Sequence, residues 1–261
     1  MKISKIYALI ALTTVANHAL ADNYTNEASI GISNGDVESA GFSADAESVD
    51  LSFVANFSEV DTSKGPLAEA SFLDRTSSFS IGYSDGEFGI VDTTDLSLGL
   101  RVVGKENGLT GEILFSDGEV QDIDTETIAL SVGYYVAKNT ELSLAYIDVE
   151  VEDTNSDSLL LGVKHVSSGD LAFSIEAAVG TVETGTDDDT AFVLGGTFYP
   201  SSHVGIGANY TTIDSALDND SYEIFVDWFI TPVAAITLSY SDSEIADIES
   251  DSINFSTRFR F

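Results

Sequence analysis

The chain of 261 residues has no cysteine, only three prolines, and ten lysines and arginines against 44 acidic residues. Because cysteine is absent, the fold does not depend on disulfide bonds. With so few basic residues we expect no binding to nucleic acid, since that binding relies on Lys and Arg contacts with phosphates. No stretch approaches eighteen unbroken apolar residues, so we expect no transmembrane helix either.

The start of the chain has the pattern of a secretory signal peptide. Two lysines precede an apolar run over about residues 6–15, and Ala19 and Ala21 supply the small residues of a cleavage site. The apolar run is too short to span a membrane. We therefore predict a signal peptide over residues 1–21 and a mature chain over residues 22–261 that forms one domain.

The mature chain is strongly acidic. Residues 1–21 hold two of the ten basic residues and none of the acids, which leaves eight basic and 44 acidic residues and a net charge of −36. High net charge combined with few apolar residues predicts disorder. Disorder does not fit this chain, because 43% of its residues are hydrophobic and they follow a regular pattern.

Apolar and polar residues alternate from residue 23 to the end of the chain. In the segment TIALSVGYYV, Ile128, Leu130 and Val132 share one face, while Ala129 and Ser131 share the other. Alternation of this kind is typical of strands with one apolar face. Fourteen such segments predict fourteen strands, and the even number places both termini on the same side.

The connections between these segments alternate between two kinds. One set is short or marked by Lys or Pro, as in AKN and TPV, and the other is longer and acidic, as in EDTNSDS and DSEIADIESDS. Short turns at one end and longer loops at the other are typical of outer-membrane barrels. The predicted fold is all-β, a transmembrane up-and-down antiparallel barrel of about fourteen strands with short turns at its lower, periplasmic end.

A soluble β-sandwich also has one apolar and one polar face, but three features favour a barrel in lipid. The polar face consists mostly of Ser, Thr, Gly, Ala and Asn, and only a closed barrel leaves no unpaired backbone in hydrocarbon. Aromatic residues lie where membrane girdles are expected. The girdle residues are Tyr83, Phe115, Tyr146, Tyr210 and Tyr240 near the upper ends of strands and Phe57, Tyr134, Phe198, Trp228 and Phe259 near the lower ends.

The last segment, SINFSTRFRF, alternates up to its final residue. Phe255, Phe259 and Phe261 are predicted to face lipid, and Arg258 and Arg260 to face the lumen. A terminal Phe preceded by alternating apolar residues resembles the C-terminal signal of outer-membrane barrels. This resemblance implies recognition by the barrel assembly machinery.

Charge is sorted along the predicted barrel axis, with all eight basic residues of the mature chain near the lower end and the acids crowded at the upper end. Such a distribution favours cation enrichment at the mouth of a pore. A merely solvated acidic surface is the alternative for the loops. Strand phase predicts the acidic pore-lining residues Asp50, Asp95, Glu112, Glu141, Glu176, Glu223 and Asp227. It predicts Arg101, Lys164, Arg258 and Arg260 as basic pore-lining residues at the periplasmic end.

The upper half lacks Lys and Arg to pair with anionic lipid. We therefore expect divalent cations to link its carboxylates to the phosphates of outer-membrane lipid and lipopolysaccharide. No loop has the ligand spacing of a calcium site. Binding is thus expected to be diffuse, with neither a specific metal site nor a cofactor.

One lower connection, within residues 59–76, is far longer than the others. Pro66 is suited to the first turn of a short helix, with Leu67, Ala70 and Leu73 along one side. The sequence leaves three alternatives open. The segment folds into the lumen as a plug, caps the lower mouth, or is a periplasmic turn with an extended strand.

The same connection carries a family resemblance. The stretch VDTSKGPLAEASFLDR resembles a segment of the porins of marine and related gammaproteobacteria, which are acidic outer-membrane proteins with a signal peptide and a terminal Phe. The resemblance covers a short region and implies a porin-like channel without implying a solute.

These observations predict a porin in the outer membrane of a Gram-negative bacterium, a passive channel for small hydrophilic solutes with a preference for cations. A non-conducting structural or recognition barrel, acting through acidic extracellular loops, is the alternative. An enzyme is disfavoured, because the mature chain has only His165 and His203, both at the lower turns, and lacks G-x-S-x-G and H-E-x-x-H motifs.

Overall fold

The computed structural model describes residues 23–39, 42–121, 123–152, 154–169, 171–185, 187–214, 219–245 and 248–261. The predicted signal peptide, with Ala19 and Ala21, lies outside the described residues. Within these ranges, no helix combines the length and apolar character needed to cross a membrane.

The described residues form fourteen antiparallel strands in one closed barrel, as predicted. Each strand pairs with its neighbours in sequence, and β1 also pairs with β14 to close the sheet. The strands are β1 (Tyr24–Ser39), β2 (Phe42–Val60), β3 (Ser78–Phe88), β4 (Val91–Val103), β5 (Leu109–Val120), β6 (Ile123–Ala137), β7 (Thr140–Val151), β8 (Thr154–Val166), β9 (Ala172–Thr184), β10 (Asp187–Ser201), β11 (Val204–Asp214), β12 (Asn219–Thr231), β13 (Ala234–Ile245) and β14 (Ile248–Arg260).

The apolar faces of the strands point outwards. Along β3, Phe79 and Ile81 are exposed, whereas Ser78 and Ser80 between them are half-buried on the lumen side. The same alternation continues around the barrel, and the outer surface includes exposed Trp228 and many Leu, Ile and Val side chains. A contiguous apolar surface of this extent is stable in lipid and not in water.

The upper connections differ from the prediction of long acidic loops. Strand β1 ends at Ser39 and β2 begins at Phe42, and even the longest upper gap covers only residues 215–218. The acidic segments therefore lie on the upper ends of strands. Asp, Asn and Gly are poor strand formers, but cross-strand pairing satisfies the backbone there and overrides local propensity.

The last residue is held in the sheet at the lower end. The Phe261 N–H donates to the Asn26 carbonyl at 2.9 Å, and the Asn26 N–H donates to the Phe261 carbonyl at 2.8 Å. The ring of Phe261 lies 6.5 Å from that of Phe53 on β2, across the intervening strand β1. Phe255 and Phe261 are exposed on the outer face, and their role in assembly stays a prediction.

Candidate functional site: the lumen and its plug

Residues 61–77, which we name the plug, connect β2 to β3 at the lower end of the barrel. They form two short 3-10 turns, Thr62–Lys64 and Leu67–Glu69, followed by helix α1 (Ala70–Asp74). Asp61 caps the first turn, because its carboxylate accepts from the Ser63 hydroxyl at 2.6 Å and N–H at 2.9 Å. These hydrogen bonds lower the pKa of Asp61.

Apolar side chains of the plug are buried against strands around the whole barrel. Leu67 is 4% exposed and Ala70 is 1% exposed, so neither faces open water. Phe72 packs with its ring centroid 5.2 Å from that of Tyr135. The strand residues in these three contact clusters are Tyr24 on β1, Val60 on β2, Val103 on β4, Tyr135 on β6, Val166 on β8, Phe229 on β12 and Ala235 on β13.

Two buried carboxylates of the plug are bound by the barrel. Glu69 lies 3.1 Å from the Lys164 ammonium on β8 and accepts a 2.9 Å hydrogen bond from the Tyr199 hydroxyl on β10. Asp74 forms ion pairs with Lys64 and, at 3.4 Å, with Lys105 in the β4–β5 turn. Buried charges are tolerated when they are paired in this way.

Arg260, on the last strand, is a third polar anchor. Its guanidinium donates to the Leu67 carbonyl of the plug at 3.0 Å and to the Glu27 carboxylate on β1 at 2.7 Å. The same guanidinium stacks over the rings of Tyr24 at 4.4 Å and Phe229 at 4.6 Å. Arg260 thus ties the plug to the strand pair that closes the barrel.

The anchors of the plug lie on nine strands spread around the circumference. The segment therefore lies inside the barrel and crosses the lower end of the lumen. Of the three alternatives that the sequence left open for residues 59–76, the structure favours the first, a segment folded inside the barrel.

Charged residues of both signs form pairs just above the plug. Arg101 on β4 contacts Glu112 on β5 at 2.9 Å and Glu141 on β7 at 2.6 Å, and Thr110 donates to Glu141 at 2.6 Å. Lys164 lies 3.8 Å from Glu176 on β9. Three of the sequence-predicted acids thus lie among the predicted bases, and their charges are largely compensated.

Arg258 completes this lower set, at 3.6 Å from Glu27. Glu27 was not predicted as a lumen residue, although it shares its strand phase with Ser29 and Gly31. Glu69 and Tyr199 were not predicted either, because their proximity depends on the fold of the plug.

The other four predicted acids lie on lumen-facing positions without ion pairs among the described residues. Asp50 accepts from Ser84 at 2.8 Å, and Glu223 accepts from the Asn209 amide at 2.9 Å. Asp95 and Asp227 accept from Ser116 and Thr237. Neutral donors leave the negative charge of these carboxylates uncompensated, so this part of the lumen is acidic.

A second acidic region, which we name the acidic belt, encircles the outside of the barrel above the upper girdle of aromatic residues. Its carboxylates often face each other across strands, as Asp36 does with Asp45 and with Asp251. Tyr210 of the girdle donates to Asp220 of the belt at 2.8 Å. The belt has one residue on every strand: Asp36, Asp45, Asp85, Asp92, Asp117, Glu126, Asp148, Asp157, Glu183, Asp188, Asp214, Asp220, Asp242 and Asp251.

Comparison with known structures gives the same architecture. The crystal structure of the Acinetobacter baumannii outer membrane protein Omp33 superposes with a TM-score of 0.66 at 20% identity, over 92% of this chain and 99% of that one. A TodX mutant described as a monoaromatic hydrocarbon channel gives 0.52 at 11% identity, over 94% and 92% of the two chains. These identities are too low to show more than the fold.

The sequence itself identifies the family. No curated protein sequence matches the chain significantly. The sequence profile of the family described as "Putative general bacterial porin" matches residues 1–170 and 168–261. Together these matches span the whole chain. The protein therefore belongs to this family of porins, which are channel proteins of the outer membrane.

Proposed function

We propose that this porin is a passive channel for small hydrophilic solutes with a preference for cations. The uncompensated carboxylates of the lumen, Asp50, Asp95, Glu223 and Asp227, carry this proposal. Fixed negative charges in a narrow, water-filled passage raise the local cation concentration and lower that of anions. The bases near the plug oppose this effect weakly, because carboxylates already neutralise them.

The plug limits the passage at the lower end. Solutes that enter from the outside reach its upper surface, so flow requires gaps beside the plug or a displacement of it. The proposal therefore includes a low conductance for the intact protein, and an increase when the plug is removed.

Reversal potentials in planar bilayers under a salt gradient test the preference for cations. The double variant Glu223→Gln with Asp227→Asn should lower the cation preference, since it removes two lumen charges. Asp36→Asn with Asp45→Asn is the matched control, because it removes two charges from the outer surface and should leave the reversal potential nearly unchanged. Equal selectivity of the wild type and the lumen variant would contradict the proposal.

The buried anchors of the plug favour a second candidate, a non-conducting barrel that acts in recognition or membrane structure. This candidate uses the acidic upper strand ends, since the long loops expected for it are absent from the described residues. A correctly folded barrel that never conducts, even after removal of the plug, would favour this alternative.

We also propose export through cleavage of residues 1–21 after Ala21, followed by recognition of Phe255, Phe259 and Phe261 by the barrel assembly machinery. The exposure of Phe255 and Phe261 on the outer face supports the second step. Mass spectrometry of the protein from outer membranes would identify the first residue. Replacement of Phe261 by Ser should reduce the amount of assembled barrel.

The acidic belt is proposed to contact lipopolysaccharide phosphates through divalent cations. Like charges directly opposite each other destabilise a sheet, and counter-cations would relieve that repulsion between Asp36, Asp45 and Asp251. Among the described residues, no group of three or more potential ligands is arranged to hold a metal ion. The proposed binding is therefore diffuse and shared with the lipid.

A further inference from the structure

The lumen has two chemically different walls. On β13, β14, β1 and β2 serine is the commonest residue at the inward positions, and several of these serines form hydrogen-bonded pairs across the strands. Ser241 and Ser252 lie 2.8 Å apart, and Ser33 and Ser48 lie 2.7 Å apart. This surface, which we name the hydroxyl wall, suits water and hydrophilic solutes. Passive diffusion of such solutes does not require an apolar surface opposite it.

The facing side, formed by β5 to β10, has aliphatic residues at its inward positions. Leu114 pairs with Ala129, which pairs with Ile147 on the next strand. Leu160 and Val193 extend the patch over β8 and β10, and Leu114 keeps 36% of its surface exposed although it points into the barrel. These five residues, together with Ala145 and Ala178, form what we name the aliphatic wall.

A cavity of about 660 Å³ lies in the lumen at the plug, between the aliphatic wall and residues of β1, β2 and β14 such as Glu27, Val54 and Arg258. Its sides include residues of the aliphatic wall, and Phe72 and Ser71 of the plug contribute to its lower boundary. Small-molecule sites are typically concave, of about 300–1,000 Å³, and mostly apolar with a few polar groups that orient the ligand. The cavity has this size and an aliphatic side, but its lining is more polar than is typical. Eight charged residues contribute to it: Glu27, Arg101, Glu112, Glu141, Lys164, Glu176, Arg258 and Arg260.

The charged groups at the base of the cavity differ from the structural ion pairs nearby. The side chain of Arg260 is 3% exposed and that of Glu141 is 8% exposed, so packing fixes both. By contrast, the side chains of Lys164 and Glu176 are 32% and 60% exposed. Water and solutes in the cavity therefore reach this second pair.

Lys164 and Glu176 also keep capacity for a ligand. The nearer partner of Lys164 is Glu69 of the plug, at 3.1 Å, but an ammonium has three N–H donors. The 3.8 Å separation of Lys164 and Glu176 exceeds the roughly 2.7–2.9 Å of a good charged hydrogen bond, so Glu176 stays open to a ligand. Arg101 and Glu112 form a second partly exposed pair in the cavity lining, with side chains 28% and 43% exposed, but their 2.9 Å contact is that of a closely bonded pair. A positive and a negative group are thus adjacent at two places beneath an aliphatic surface.

We propose that this cavity is a subsite for zwitterionic amino acids with aliphatic side chains, a solute class that rests on the proposed channel function. The carboxylate of the solute binds Lys164, its ammonium binds Glu176, and its side chain packs against Leu114 and Leu160. A carboxylate or an amine alone contacts only one of the two charged groups, and glycine leaves the aliphatic wall uncovered. Binding is weak, as a channel requires for release.

Saturation-transfer NMR on the refolded full-length mature barrel in detergent tests this proposal, with protein-free micelles as the blank. The ligands are leucine, glycine, isocaproate, which lacks the ammonium, and isoamylamine, which lacks the carboxylate. Leucine should bind about tenfold more tightly than glycine, because a buried aliphatic side chain is worth at least that factor. Equal binding of leucine and isocaproate, or of leucine and glycine, would overturn the proposal.

Variants locate the site. Leu114→Ser with Leu160→Ser should weaken leucine binding about tenfold, and Glu176→Gln should weaken leucine binding while leaving isocaproate unaffected. Ser241→Ala with Ser252→Ala, on the hydroxyl wall, is the matched control and should bind leucine like the wild type. Equal leucine binding by the control and the two test variants would place any binding elsewhere and overturn the proposal.

Conductance of the same preparations separates this inference from the proposed function. A barrel that conducts salt but shows no preference for leucine contradicts the subsite and leaves the channel in place. A barrel that binds leucine as described but never conducts supports the subsite and contradicts the channel.

Discussion

The two ends of this barrel use charge in opposite ways. At the lower end, Arg260 of the barrel and Glu69 and Asp74 of the plug are buried and paired across the junction of plug and barrel. At the upper end, the carboxylates of the acidic belt face outwards and oppose one another across strands. The lower ends of the strands are therefore rigid and their charges are neutralised, whereas the upper ends are solvated and strongly negative. Burial with a partner makes a charge structural, and exposure without one leaves it available to ions and solutes.

Replacement of Arg260 should have the largest effect on stability of the changes considered at the two ends. Arg260→Ala should lower the free energy of unfolding by about 3–5 kcal/mol, because it leaves Glu27 without its closest partner and opens the junction of plug and barrel. Arg258→Ala, two residues earlier and more exposed, is the matched control, with an expected loss of about 0–1 kcal/mol. Urea unfolding in lipid vesicles measures both, and equal losses would show that burial of Arg260 has no special role.

Glu69 should have an intermediate effect, on the plug alone. Glu69→Gln removes the charge that Lys164 contacts and weakens the bond with Tyr199. Because Lys164 is partly exposed, we expect the variant to weaken the binding of the plug to the barrel by about 1–2 kcal/mol. This loss corresponds to a 5–30-fold increase in channel opening. Single-channel recordings measure this increase.

Asp61 provides the control within the same segment. Asp61→Asn changes an exposed acid that lies 3.9 Å from Lys64, so it should leave the opening frequency unchanged. If Glu69→Gln and Asp61→Asn open with the same frequency, the buried contacts of Glu69 do not hold the plug in place.

The acidic belt should give the smallest effect per residue, and one that depends on divalent cations. Removal of Mg²⁺ and Ca²⁺ by a chelator should destabilise the barrel in lipopolysaccharide-containing vesicles, by less than about 1 kcal/mol per like-charged pair. The variant Asp36→Asn with Asp251→Asn should reduce that sensitivity. A wild type whose melting temperature is independent of divalent cations would argue against cation bridges.

The strands could be predicted because the residues within each strand alternate according to the surroundings of its two faces. In β6, Ile128, Leu130 and Val132 alternate with small residues, and this pattern requires lipid on one side and lumen on the other. The extent of the strands was underestimated. Asp36 and Asp45 belong to an acidic segment of the kind predicted to form loops, and only their cross-strand pairing keeps that backbone in the sheet.

The plug could not be predicted in the same way. Leu67, Glu69 and Phe72 contact residues on strands that are far away in sequence, so local periodicity does not predict these contacts. Lumen-facing positions of single strands could be predicted, as for Arg101 opposite Glu112. The contact of Arg101 with Glu141 could not, because it depends on the stagger of strands that are not neighbours.

The most direct test is single-channel conductance of the refolded mature protein beside a variant in which a short Gly-Ser turn replaces residues 62–75. A channel closed by its plug predicts small, infrequent steps for the wild type and a several-fold larger, cation-selective conductance for the variant. Identical conductance would contradict closure of the lumen by the plug. The absence of current from a folded, inserted variant would contradict the channel function itself.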